Sequence, residues 1–130
     1  MSSFTYDHIH LRSPDPEATA RFYETMFGAE ILRSAPGGIP RIDLRVGGAN
    51  ILIAAVANDG KTAPPPSSPY QGLDHFGLSV TGIDAIVAEL KAKGARFTME
   101  PTTVRPGVRI AFLRGPEDVS IELLERSAPG

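Results

Sequence analysis

Two short phrases hold most of the chemistry this sequence can offer. The first is Asp7-His8-Ile9-His10-Leu11; the second, Asp74-His75-Phe76-Gly77-Leu78, repeats its opening. Together they contain all 3 histidines of the chain. Alternate residues of a strand share a face, so His8 and His10 point one way while Ile9 and Leu11 point the other, toward a packed helix. His75 and Gly77 take the matching positions in the second phrase. Glu122, in Ser120-Ile121-Glu122-Leu123-Leu124, follows the same parity: Ile121 and Leu123 suit a core, which turns the carboxylate to the opposite face. A lone histidine on a half-buried strand is more often a hydrogen-bonded structural residue than a ligand. Repetition at equivalent places, with an inward carboxylate on a closing strand, weakens that bland account. Two imidazoles and one carboxylate, His8, His75 and Glu122, make a plausible shell for a divalent metal, with positions left open for substrate or water. His10 has no counterpart, since Gly77 stands in its place. It is a further ligand, a structural donor or a general acid-base; the catalytic role it suits is proton transfer beside a metal-bound substrate.

The elements that must position these groups come in two matched sets. After each histidine phrase lies a helix-periodic segment, "PEATARFYETMFGAE" with Ala20, Tyr23 and Phe27 in register, and "IDAIVAELKAKGAR" with Ile83, Ile86, Val87 and Leu90. Gly28 and Gly94 stand where each helix should end, each followed by alanine. The strand-like runs "AEILRS", "RIDLRV" and "NILIAA" answer to "ARFTME", "RIAFLR" and "SIELLE", with turn-rich "APGGIP" and "PTTVRPG" between. Each half therefore reads β-α-β-β-β. The expectation is one α+β domain, residues 1–130. Module one covers 4–57, a proline-stiffened linker 58–70, and module two 71–126, with two curled sheets around a shared cup and the helices outside.

Other polar residues carry weaker signals. Arg41, Asp43 and Arg45 alternate with apolar neighbours, so one face of that strand is charged; a solvated face or dimer rim is the plainer account. Arg109, at the equivalent place in the second half, is the better candidate for binding a substrate anion, because Ala111 beside it leaves room in the cup. Gly47-Gly48 lies between two strands and opens no helix, so it reads as a hairpin turn rather than a phosphate loop. No Ser/His/Asp or Cys/His arrangement and no basic-aromatic stripe is present. A formal net charge of -2 gives no electrostatic reason to expect nucleic acid or an anionic membrane. With 0 cysteines, disulfides and thiolate metal sites are excluded. The start "MSSFTYDHIHLRS" lacks a basic region followed by an apolar run, and no apolar stretch is long enough to span a bilayer. A cytoplasmic protein is expected.

The phrases "DHIHLRSPDPEATARFYETMFGAE", "LDHFGLSVTGIDAIVAELKAKGA" and "RIAFLRGPEDVSIELLE", in this order, resemble the vicinal oxygen chelate superfamily, from about Phe4 to about Arg126. That group includes glyoxalase I, methylmalonyl-CoA epimerase, fosfomycin- and bleomycin-resistance proteins and extradiol dioxygenases. The resemblance implies paired βαβββ modules around one site, commonly in a homodimer, with His8, His75 and Glu122 as metal ligands and a small-molecule substrate. The family's frequent fourth ligand falls on Leu52, which cannot ligate. That departure tells against glyoxalase I itself and tilts the expectation toward three-ligand chemistry. Fe(II) is narrowly favoured, for dioxygenase chemistry on a catechol-like diol. Zn, Ni, Co or Mn would serve lyase or isomerase chemistry instead. The rival is a metal-free, ligand-sequestering protein of the bleomycin-resistance kind. Whether the two modules of a site come from one chain or from two copies stays open.

Overall fold

The computed structural model describes residues 2–127 and divides into two compact units, Met1–Ala63 and Pro64–Gly130. In unit 1 the order is β1 (Ile9–Ser13), α1 (Pro16–Phe27), β2 (Glu30–Ser34), β3 (Arg41–Val46) and β4 (Ala49–Ala55). Unit 2 repeats it with β5 (Phe76–Ser79), α2 (Ile83–Ala92), β6 (Arg96–Arg105), β7 (Val108–Arg114) and β8 (Ser120–Arg126). Each unit holds one four-stranded mixed sheet, ordered β1-β4-β3-β2 and β5-β8-β7-β6. The first strand of each runs parallel to the last and the remaining pairs are antiparallel. Neither sheet closes on itself. The repeated β-α-β-β-β order and the α+β class expected from the sequence are both present.

Local chemistry explains where the helices begin and end. Asp15 caps α1, its carboxylate accepting from the Ala18 amide at 3.1 Å, and Pro16 supplies the fixed φ of a first helical residue. Gly28 closes α1 in the left-handed conformation, φ 69°. α2 begins at Gly82, which has no side chain to cap with; Glu125 of β8 reaches across instead and accepts from the amides of Gly82 (2.6 Å) and Ile83 (3.1 Å). A carboxylate on those unpaired N–H groups also meets the positive end of the helix dipole.

One face of each sheet is sealed by its helix. In unit 1, Ala20 and Tyr23 of α1 are buried with Ile42, Leu44, Ile51 and Ile53; in unit 2, Ile83, Val87 and Leu90 of α2 are buried with Ala111, Leu113, Ile121 and Leu123. Each fully buried Leu, Ile or Val contributes about 1.5–3 kcal/mol, enough to fix the parity of β3, β4, β7 and β8, where these residues lie. Hence the residues between them occupy the open face away from the helix. The Gly47-Gly48 hairpin turn joins β3 to β4 with φ of 55° and 81°, conformations open to glycine. β6 differs from expectation. It runs on through residues 101–105, a stretch that reads as a loop in the sequence. It is an edge strand with register shifts around Met99 and Thr102, and Pro101 sits in that irregular stretch, where a missing amide donor costs little.

Candidate functional site

His75 and Glu122 meet on the open face of unit 2. His75 precedes β5 and Glu122 lies mid-β8, in register with Gly77. The Nε2 of His75 stands 3.6 Å from Oε1 of Glu122, near but beyond hydrogen-bond contact. Gly77 makes room for the carboxylate: a Cβ added there would lie 3.3 Å from Oε1 of Glu122. The Phe112 ring packs edge-on against the imidazole, centroids 4.8 Å apart. The Glu122 side chain is 17% exposed and that of His75 31%, so both are sheltered yet accessible.

The aspartate ahead of each histidine has a definite task. Asp74 Oδ2 lies 2.7 Å from His75 Nδ1, and Asp7 Oδ2 lies 2.7 Å from His8 Nδ1. A carboxylate only accepts, so Nδ1 carries the proton and Nε2 keeps its lone pair when the ring holds a single proton. That is how ligating imidazoles are held by an outer carboxylate. Asp7 and Asp74 join the histidines as site residues, and the repeated Asp-His dipeptide is their signal in the sequence.

His8 lies in unit 1, on the open face at the threshold of β1. It lines a hollow of about 230 Å³ with Asp7, Leu32, Arg41, Asp43, Arg45, Asn50 and Leu52. The Asn50 side-chain amide reaches the Asp7 carbonyl at 3.5 Å, tying the histidine phrase to β4. The rings of His8 and His10 are edge to face, 6.4 Å between centroids. His10 sits in register with Leu52, and Leu52 with Asp43. Asp43 is engaged by Arg41 in a two-pronged pair of 3.0 and 3.2 Å. No donor therefore stands at position 52, as the sequence implies.

The placement expected for Arg109 does not hold. Its guanidinium pairs with Asp84 in the first turn of α2, at 2.7 and 3.0 Å, and bonds Thr103 at 3.1 Å. It shares strand parity with Ala111 and Leu113, both 0% exposed, so it belongs to the helix-covered face. The small side chain of Ala111 accommodates the helix. The Arg109 guanidinium beside Asp84 holds that carboxyl below its ordinary range.

The donors present in unit 2 fit a divalent ion. Two ligands with bonds of about 2.0–2.2 Å stand about 3.0–3.4 Å apart on one ion, so the 3.6 Å between Nε2 and Oε1 needs only a small closure. Among the described residues, neither unit by itself brings three or more His, Cys, Asp or Glu side chains together.

A family model described as Glyoxalase/Bleomycin resistance protein/Dioxygenase superfamily matches residues 5–123. The chain belongs to that superfamily. Curated relatives in it include a lactoylglutathione lyase of Arabidopsis thaliana, 28% identical over 92% of this chain and 43% of the plant protein. A Vibrio parahaemolyticus protein named "Probable lactoylglutathione lyase" is 28% identical over 96% of this chain and 93% of its own length. This chain thus spans under half the length of the plant superfamily member. The crystal structure of a glyoxalase family protein from Enterococcus faecalis matches with a TM-score of 0.74 at 23% identity, covering 93% of this chain and 97% of that one. That likeness concerns the superfamily fold. Among the described residues no helix is long and apolar enough to cross a membrane.

Proposed function

We propose that this chain is a metal-dependent enzyme that binds and polarises a small oxygen-bearing substrate, with His8, His75 and Glu122 as ligands. The observation that carries the reading is the convergence of His75 Nε2 on Glu122 Oε1 over Gly77, with Asp74 fixing the ring and Asp7 doing the same for His8. His8 completes the set, from the same chain or from a second copy. A divalent ion held by these residues would supply Lewis acidity toward a substrate oxygen. The chain's own groups do the rest. Asp7 and Asp74 keep the imidazole lone pairs aimed outward, Glu122 balances cationic charge, and Leu52 leaves its place free of a donor. His10, on the same face as His8, moves the proton.

The names borne by the relatives favour lyase chemistry over the dioxygenase arm. A two-part assay tests the choice: turnover of hemithioacetals formed from 2-oxoaldehydes and thiols, beside oxygen uptake with a panel of catechols. Hemithioacetal turnover that His10→Ala abolishes, with no oxygen uptake, is the expected result. Oxygen uptake with any diol would move the assignment to Fe(II) dioxygenase chemistry. Inactivity toward both, with no metal held, would favour a ligand-sequestering protein.

A further inference from the structure

The hollow on the open face of unit 1 contains one cation that no carboxylate of the described residues engages. Of its charged lining residues, Asp43 is held by Arg41 at 3.0 and 3.2 Å, and Asp7 is bonded to the His8 ring at 2.7 Å. Arg45 remains. Its cross-strand neighbours are Glu30 on β2 and Asn50 on β4, yet among the described residues its guanidinium makes no ion pair with Glu30 or any other carboxylate. Arg45 is exposed, and it lines the same hollow as His8, with Asn50 between them on the sheet and Leu32 and Leu52 as apolar walls.

That grouping has the make-up of a carboxylate site. A guanidinium presents parallel N–H donors that fit the two oxygens of a carboxylate. Leu32 and Leu52 offer apolar surface to the carbon atoms beside such a carboxylate. The Asn50 amide nitrogen, which uses one bond on the Asp7 carbonyl, has a second N–H to give. The hollow is smaller than the ~300–1,000 Å³ typical of drug-sized ligands, so it suits the acidic end of a compact molecule. Arg41, similar in type and near in sequence, is already neutralised, and Arg109 is spent on the helix-covered face.

We propose that Arg45 is a specificity residue: it binds a carboxylate of the substrate and sets the neighbouring carbonyl or hydroxyl oxygen toward His8. This deepens the functional reading above and rests on it for the role of His8. The substrate class is then a small oxygen-bearing molecule, or its thiol adduct, that also carries a carboxylate, rather than a neutral diol; 2-hydroxy- and 2-oxocarboxylates are its simplest probes.

The test measures binding of a series of 2-hydroxy- and 2-oxocarboxylates, each beside its neutral primary amide, by calorimetry and by NMR shifts at low ionic strength. The proteins are the wild type as purified, Arg45→Gln, Arg45→Lys, and Arg33→Gln as a control on an unrelated surface pair with Glu17. The wild type should prefer the acid by about ten- to a hundredfold. Arg45→Gln should erase that preference, Arg45→Lys should restore part of it, and Arg33→Gln should leave it intact. Equal affinity for acid and amide, an undiminished preference in Arg45→Gln, or binding of no acid in the series would overturn the proposal. Metal content measured on the same samples separates the two claims. Arg45→Gln should hold as much metal as wild type, so a failed acid preference with metal retained removes the carboxylate site alone. An acid preference with no metal in any sample keeps Arg45 and removes the metalloenzyme reading.

Discussion

Gly77→Ala separates the role of the site from the stability of the fold. Gly77 lies in β5 in register with Glu122, and its φ is not positive, so alanine suits the backbone. Its new Cβ would lie 3.3 Å from Glu122 Oε1 and 3.8 Å from Glu122 Cβ. Relief to an ordinary contact moves the carboxylate by a few tenths of an ångström. For folding that is minor, and losing a glycine from the unfolded chain stabilises by about 0.4–1 kcal/mol. For a ligand set it is not minor, because metal sites tolerate deviations of only about 0.2 Å. Changes in supporting contacts of this kind weaken metal binding about 10–100-fold. The assay is competition for Zn(II) or Ni(II) against a chromophoric chelator, beside thermal melting in the presence of EDTA. Metal affinity should fall by that factor while the melting temperature holds or rises slightly. Unchanged metal affinity would refute the reasoning, and so would a loss of affinity matched by a large loss of metal-free stability.

Three further outcomes follow from other parts of the fold. Glu125→Gln should lower the melting temperature at neutral pH, because the amides of Gly82 and Ile83 hold the Glu125 carboxyl below its ordinary range. The unfolded chain takes up the proton first, so this stabilisation is full above the ordinary glutamate value and is lost as pH falls through the lower folded one. Melting curves across acidic pH should show the variant's deficit shrinking. Leu44→Ala, at a position 0% exposed beneath α1, should cost about 2–5 kcal/mol in denaturant unfolding; a cost below 1 kcal/mol would contradict the packing described. Leu52→Glu adds a carboxylate to the lining shared with His8 and should tighten metal retention in the same chelator competition, whereas unchanged or weaker retention would contradict the place given to His8.

Much of the architecture was legible because repetition and parity are properties of the chain. The echo of Asp7-His8 in Asp74-His75, helix ends at Gly28 and near Gly94, and the alternation around Glu122 each fixed an element or a face. What escaped was information that resides in other strands. Alternation shows that Arg109 shares a face with Ala111 and Leu113, but not which face a helix covers; the apolar Leu113 is the clue, and the small Ala111 makes room for the helix rather than for a ligand. The carboxylate cap of α2 comes from Glu125, far along the chain from Gly82, and no local motif announces it. β6 runs past Pro101 because an edge strand tolerates proline at an irregularity, which only the partner strand reveals. Strand parity hides Asp7 and Asp74, because adjacent residues on a strand point to opposite faces; each lies just before its strand, where the backbone lets the carboxylate turn back onto the neighbouring imidazole.

The most direct measurement is the metal content, by elemental mass spectrometry, of untagged protein purified anaerobically, beside His8→Ala, His75→Ala and Glu122→Ala. The account predicts near-stoichiometric divalent metal in the wild type and its loss in all three variants, each still folded by circular dichroism. Metal retained in His75→Ala and Glu122→Ala, or wild-type protein that neither carries metal nor takes up Zn(II), Ni(II), Mn(II) or Fe(II), would contradict it.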